Sequence, residues 1–506
     1  MPTRITSGQV EGIRGQLITV EVDAAPGMQR FILVGLPDKA VEEAKERLAS
    51  AVSNSACEPP HKRHYRITIN LSPADVRKEG SWHDLAMTLG YLLATRQAHF
   101  DPARKCFLGE LGLDGSLKPL RGVLAVVREA QRAGITECFV PTQNAPEAAL
   151  IRDVTIYGAS SLGAVLDHLE GRALITPTLS SNIHAHQKRS SHGFEDIRGQ
   201  ALAKRAAEIA AAGLHHLGMH GPPGTGKTLI ARALADILPP MSHEESLEVT
   251  VIHSVAGDTG ARSSLMRERP FRSPHHTSSY AAIVGGGAYP KPGELTLAHR
   301  GVLFLDEFSE FEGRVLESLR EPLEDREITV SRVQRTEKFP SDILLVAAMN
   351  LCPCGKRGTK DPCACGPAQL ARYARKLSGP IVDRIDLWAM VPHVDYETLH
   401  SLDKEESSEM IRDRVTRAWN TQQERLRGTP YRTNSGIGVR DIEKFITLSS
   451  EARTSLERAS NALQLSPRSF HKLMKVARTI ADLDASEFVE DKHLLEAIQF
   501  RPRQLT

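Results

Sequence analysis

Gly221-Pro222-Pro223-Gly224-Thr225-Gly226-Lys227-Thr228 is the stretch on which the rest of the chain turns. It follows the apolar run Leu214 to Met219 and leads into Leu229-Ile230-Ala231-Arg232-Ala233-Leu234, which has helical character. Strand, glycine loop and helix start in that order predict a phosphate-binding loop. Its backbone N–H groups turn inward around phosphate oxygens, and the helix N-terminus adds partial positive charge. Lys227 is expected to reach the β- and γ-phosphates and the Thr228 hydroxyl to ligate Mg²⁺. The stretch predicts a nucleoside-triphosphate site, with ATP and Mg²⁺ as cofactors.

The remaining composition bounds the setting of this loop. A chain of 506 residues has room for about three domains by length. Hydrophobic residues at 41% and charged residues at 25% are ordinary for a globular protein. The net charge of +2 is too small to mark a nucleic-acid surface, so any such surface must be local. Met1 to Val10 has no basic region followed by an apolar core, and no run reaches the ~18 apolar residues of a membrane span. A cytoplasmic protein without membrane contact is the expectation. Of 7 cysteines, four fall in Cys352 to Cys365 while Cys57, Cys106 and Cys138 are scattered, a thiol pattern unlike a secreted disulfide framework.

A second chemical motif lies downstream. Gly301-Val302-Leu303-Phe304-Leu305-Asp306-Glu307 is an apolar run ending in two acids, which a buried parallel strand would deliver at its C-terminal end. Asp306 is expected to hold Mg²⁺, directly or through water, and Glu307 to polarise the attacking water. Such a pair alone is usually a solvated strand end; the phosphate loop upstream gives it meaning. Asn350 ends the next apolar strand, Ile343 to Ala348. His275 and His276 have no carboxylate at ligand spacing and read as hydrogen-bonding loop residues rather than metal ligands.

Residues 1–175 alternate strand and helix. Strands are expected at Gln16 to Val22, Phe31 to Val34, Arg66 to Leu71 and Glu137 to Val140, and helices at Val41 to Val52, Asp84 to Ala94 and Leu124 to Ala133. Residues 176–192 are rich in Ser, Thr and His and read as a linker. Glu327 to Phe339 alternates like a hairpin and carries Arg332, Arg335 and Lys338. Long helices are expected at Glu405 to Arg427 and Val439 to Ala459. Ser466-Pro467-Arg468 reads as the capped start of a further helix, and Asp491 to Phe500 as a last one.

Asn70-Leu71-Ser72-Pro73-Ala74-Asp75, Lys78-Glu79-Gly80-Ser81 and Leu113-Asp114-Gly115-Ser116-Leu117-Lys118 resemble the Lon-protease-type domain that opens the magnesium-chelatase-like ATPases. In Lon-type peptidases a Ser and a Lys form the catalytic dyad. Lys118 matches the Lys, whereas the nucleophile position falls on Trp82, with Ser81 one residue away. A one-residue slip redirects a side chain, so this domain is expected to keep the fold without the protease.

Phe194 to Gln200, Pro270 to His276, Gly285-Gly286-Gly287 and Pro292 to His299 are similar to the AAA+ module of the same group, specifically its ComM/YifB branch. That resemblance implies an N-terminal Lon-like α/β domain, an AAA+ core with a parallel sheet at 193–395, and a helical lid at 396–506. It implies that Asn350 positions the lytic water and that the hairpin at Glu327 touches the nucleic-acid backbone. Arg384, in Ser378-Gly379-Pro380-Ile381-Val382-Asp383-Arg384, would be the arginine finger acting on a neighbouring subunit. Arg468 would be a sensor contacting the nucleotide of its own subunit. A finger acting in trans requires a homo-oligomeric ring, expected to be a hexamer, and the family's work implies DNA as the partner, with ComM-like branch migration as the activity. A chelatase motor, a Lon-like ATP-dependent protease and a protein-remodelling ATPase are the other readings.

Cys352-Pro353-Cys354 and Cys363-Ala364-Cys365 place two Cys-x-Cys knuckles within the insert 352–365. A tetrahedral Cys₄ zinc site suits them, although the spacing is tighter than the usual knuckle. Reduced thiols and a redox or iron–sulfur role are the alternatives. The family pattern has proline where this chain has Leu351.

Overall fold

Thr3–Glu11 (β1) and Arg14–Pro26 (β2) close into a hairpin at Gly12, whose φ of +59° suits glycine. The computed structural model describes residues 2–179, 193–257, 265–287, 291–332, 335–359, 361–377, 381–399 and 405–501. The chain forms two compact units, Met1–His186 with Ser246–Met266, and Gln187–Glu245 with Arg267–Thr506. Most of the expected linker, residues 180–192, lies outside the described residues.

The first unit is built on a seven-stranded mixed sheet. Its further strands are Arg30–Val34 (β3), Tyr65–Ser72 (β4), Lys105–Phe107 (β5), Glu137–Pro141 (β8) and Thr155–Ala159 (β9); Glu110–Leu111 (β6) and Leu117–Lys118 (β7) form a separate small ribbon. The order is β3-β4-β2-β1-β5-β8-β9. Alternation along the strands sorts residues to two faces. Ile18, Val20, Val22, Phe107 and Phe139 meet helices Lys39–Asn54 (α1) and Asp84–Ala94 (α2). Cys106, Cys138 and Val140 meet Val123–Arg132 (α3) on the other.

β1 escaped the sequence pattern because its inward residues include Ser7 and Gln9, both buried and both bonded to the ring of His83. Leu247 and Val251 join the core around α3, so residues 246–257 fold with the first unit although they lie within the expected ATPase segment. Their polar anchor is Ser254 Oγ, which donates to Glu147.

The second unit holds five short parallel strands: Leu217–His220 (β10), Phe271–Arg272 (β11), Val302–Leu305 (β14), Leu344–Met349 (β17) and Leu387–Met390 (β18), in the order β11-β14-β17-β10-β18. The central strands are buried end to end, as parallel strands covered on both faces require. Two antiparallel ribbons accompany them, Gly285–Gly286 (β12) with Lys291–Pro292 (β13), and Glu327–Arg332 (β15) with Arg335–Pro340 (β16). The hairpin tip and the side chains of Arg332 and Arg335, expected to face nucleic acid, lie outside the described residues. Lys338, by contrast, pairs with Glu327 at 3.0 Å.

The C-terminal helices Ser408–Arg425, Ser450–Ala462, Pro467–Leu483 and Asp491–Gln499 share one hydrophobic core with the sheet and with the alanine-rich helix Ala201–Gly213. The expected boundary at 396 therefore separates no independent core. The long helix expected over Val439 to Ala459 is broken. Ile446 is extended, Leu448 bridges to Val489, and Ser449 restarts the helix by accepting from the Ala452 N–H. Cap chemistry at Ser449 overrides the helical apolar period there.

Candidate active site

β10 is followed directly by Gly221, whose N–H donates to Met349 O at 3.2 Å. A Cβ on Gly221 would lie 2.1 Å from Val391 O, so only glycine fits between the strands. Gly224 and Gly226 have φ of +75° and +89° and open space around them, so their requirement is conformational. Gly226 caps the helix Lys227–Ile237, and the free N–H groups of its first turn border the loop. Lys227 is buried, with Nζ 2.9 Å from Gly221 O, 2.6 Å from Pro222 O and 3.4 Å from Asn350 Oδ1. Burial lowers its pKa, opposed by the charge of Asp306. Thr225 Oγ1 donates to the same Pro222 carbonyl at 2.9 Å.

Thr228 Oγ1 donates to Asp306 Oδ2 at 2.9 Å across 78 positions of sequence. Adjacent ligands of an octahedral Mg²⁺ at about 2.1 Å stand about 3.0 Å apart, so this pair of oxygens fits the edge of such a site. Asp306 Oδ1 accepts the Glu307 N–H at 2.9 Å. Glu307 itself takes a left-handed conformation, φ +50°, and His276 Nδ1 sits 2.9 Å from its Oε2. The rings of His275 and His276 lie 4.2 Å apart, and His275 bonds Thr277. The expected role of the histidine pair as hydrogen-bonding residues matches this geometry; the contact of His276 with Glu307 has no counterpart in the sequence reading.

Asn350 is held at its backbone by the Tyr373 hydroxyl, which donates to Asn350 O at 2.7 Å. Gln200 lies below the loop, donating to Pro392 O at 2.7 Å, while its buried Oε1 has no partner among the described residues. Tyr373 had no local sequence signal, whereas Gln200 closes the Phe194 to Gln200 stretch that carries the family resemblance. The loop, Asp306, Glu307 and Asn350 are brought together at the C-terminal ends of adjacent strands.

Arg384 and Arg468 are brought together elsewhere. Arg384 Nη2 lies 2.8 Å and Arg468 Nη2 2.7 Å from the same oxygen of Glu324. Burial pushes the Glu324 carboxyl up, and the two guanidinium groups outweigh it and hold it below its usual range. Both arginines line a cavity of about 630 Å³ with Lys472, Lys475 and His216. His216, Ile343 and Asp386 immediately precede β10, β17 and β18, so this cavity opens at the N-terminal edge of the sheet. Four-residue strands span about 13 Å. Arg468 contacts Glu324 at this edge, and none of its recorded contacts reaches its own phosphate loop among the described residues. The helix Pro467–Leu483 is anchored there by Lys472, 3.2 Å from Asp386.

The Sγ atoms of Cys352, Cys354, Cys363 and Cys365 all lie within 4.8 Å of one another, and no disulfide joins them. In the first unit, Ser81 donates to Glu110, and no hydrogen bond joins it to Lys118 among the described residues. Lys118 is exposed on β7 opposite Glu110.

Three families described as magnesium chelatase components match in succession: subunit ChlI of Mg-chelatase at residues 20–144, magnesium chelatase subunit ChlI at 193–399, and its C-terminal part at 405–501. Competence protein ComM of Haemophilus influenzae is 40% identical over 496 residues, covering 97% of this chain and 95% of that protein. The protein designated YifB in Escherichia coli is 40% identical over 494 residues, with the same coverage of 97% and 95%. Lon protease 2 of Bacillus subtilis is 28% identical over 158 residues, 30% of this chain and 29% of that protein. The chain belongs to the ComM/YifB family of magnesium-chelatase-like AAA+ proteins. No helix among the described residues is long and apolar enough to cross a membrane.

Proposed function

We propose that this chain is an ATP-hydrolysing AAA+ ring motor that acts on DNA in the cytoplasm as a ComM-like helicase, in branch migration during recombination or transformation. In this reading Gly221 to Thr228 cradle the triphosphate, and Thr228 and Asp306 hold Mg²⁺. Glu307 draws a proton from the attacking water while Asn350 orients it. Lys227 neutralises charge on the transferred phosphoryl group, and Mg²⁺ supplies further charge stabilisation when bound.

The carrying observation is the division of labour across the sheet. Lys227, Thr228, Asp306 and Asn350 converge at one edge, and Arg384 with Arg468 at the other. Two guanidiniums remote from their own loop serve a nucleotide held by another copy, which supports a closed ring and suits a hexamer. The β15–β16 hairpin and the similarity to a competence protein support DNA as the partner, bound through its backbone. The test is ATP turnover by purified protein with and without single-stranded, duplex and four-way-junction DNA. Stimulation by one of these supports the DNA motor, and indifference to all of them overturns it.

The three consecutive magnesium chelatase matches favour a second reading, a chelatase-type or protein-remodelling ATPase without DNA translocation. It predicts turnover that responds to a protein partner and not to DNA.

A further inference from the structure

We infer that Cys352, Cys354, Cys363 and Cys365 hold one Zn²⁺ ion and that this ion clamps the back of the phosphate loop, making nucleotide affinity depend on zinc. The inference rests on the nucleotide-site reading above and adds its regulation.

The sulfur geometry is that of a mononuclear site. Cys352 and Cys354 Sγ are 3.4 Å apart, Cys354 and Cys363 3.6 Å, and Cys363 and Cys352 3.7 Å. A tetrahedral Zn–S distance of about 2.3 Å implies S–S edges of about 3.8 Å. Hydrophobic packing does not account for the convergence, because Cys354 and Cys363 are exposed. The backbone N–H of Arg357 also donates to Cys352 Sγ at 3.4 Å, which fixes that sulfur within the cluster. A soft S₄ donor set at tetrahedral spacing selects zinc over hard cations.

The knuckle also touches the nucleotide site. Gly355 and Gly358 have φ of +74° and +83°. A Cβ on Gly355 would lie 3.4 Å from two ring carbons of Pro223, and one on Gly358 3.5 Å from Pro222 Cγ. The backbone between the two cysteine pairs therefore passes beside both prolines of the loop, within reach of one added carbon. Pro222 carries the carbonyl that accepts from Lys227 and Thr225. The first ligand, Cys352, follows Asn350 by two residues, so one ion fixes both the wall behind Lys227 and the start of the strand-end turn. Removing it frees Pro222, Pro223 and Asn350 together.

Zinc per chain is counted by elemental analysis. Binding of a fluorescent ADP analogue with Mg²⁺ is then titrated for the protein as purified, after chelation under reductant and dialysis, and after zinc is restored. The expected result is one zinc per chain and an affinity that falls roughly tenfold or more on stripping, the scale of losing a supporting shell, and returns with zinc. Cys354→Ser with Cys363→Ser should show the stripped affinity without recovery. Circular dichroism accompanies each state. Absence of zinc, iron in its place, unchanged affinity after stripping, or global loss of helix on stripping each overturns the clamp. Should the zinc-loaded protein bind no nucleotide at all, the nucleotide reading fails with it, while the zinc count still reports separately on the four cysteines.

Discussion

His276 Nδ1 lies 2.9 Å from Glu307 Oε2, the carboxylate of a residue that takes a left-handed backbone just beyond the end of β14. A carboxylate held by an imidazole is less available to a water molecule. His276→Ala should therefore raise basal ATP turnover roughly two- to fivefold, the scale of a half-exposed pair of roughly 0.5–1 kcal/mol, at unchanged nucleotide affinity. Steady-state hydrolysis without DNA is the measurement. A fall in turnover would mean that His276 orients the base instead of restraining it.

Lys227 and Glu307 should separate binding from chemistry. Lys227→Ala removes the cation beside Asn350 and is expected to abolish detectable binding of the triphosphate. Glu307→Gln keeps the shape of the site and should bind ATP normally while turnover falls by about 10² to 10⁴, the usual contribution of a general base. Equal loss of binding in both variants would contradict the assigned division.

Arg384→Ala and Arg468→Ala should each leave nucleotide binding to isolated chains unchanged and reduce turnover, by about 10³-fold or more for Arg384. The informative measurement is mixing. Lys227→Ala chains retain both arginines, and Arg384→Ala chains retain the loop, so a mixed ring contains some complete sites. Recovery of activity on mixing is expected. A mixture as inactive as its components would argue that Arg384 acts within its own chain.

His83 provides a pH test of the first unit. Burial, with Lys78 adding, lowers its pKa to about 3, from the ordinary histidine value near 6.5. Below about pH 6.5 the unfolded chain takes up a proton that the folded His83 refuses, so stability falls as pH drops, by about 1.4 kcal/mol per unit down to about pH 3. His216 in the second unit is lowered to about 4 by burial and contributes in the same direction. Denaturant unfolding between pH 7 and 4 should show this loss. His83→Gln, which can keep one bond to Ser7 or Gln9, should reduce the slope by about one proton. An unchanged slope would mean that His83 is protonated in the fold.

The nucleotide loop, Asp306, Glu307 and Asn350 were legible because each depends on a few consecutive residues: glycines that permit left-handed turns, an apolar run that becomes a buried strand, and polar residues at its end. The helix over 439–459 was misread because the apolar period continues through Thr447 and Leu448, where the Ser449 cap and the bridge to Val489 prevail. β1 was missed for the opposite reason. Its inward Ser7 and Gln9 break the apolar alternation, and only the buried ring of His83 explains them.

Local chemistry thus determined, from sequence alone, that a P-loop, a carboxylate pair and a four-cysteine insert exist, since backbone conformation and spacing act over a few residues. Packing decided which distant groups meet. Arg468 shares Glu324 with Arg384 because the lid helix is docked by Lys472 on Asp386 at the far edge of the sheet. A side chain at Gly355 or Gly358 would meet Pro223 or Pro222, and Leu247 and Val251 join the core around α3. These contacts join residues far apart in the chain, where no local pattern constrains distance, and are set by burying apolar surface in a particular register.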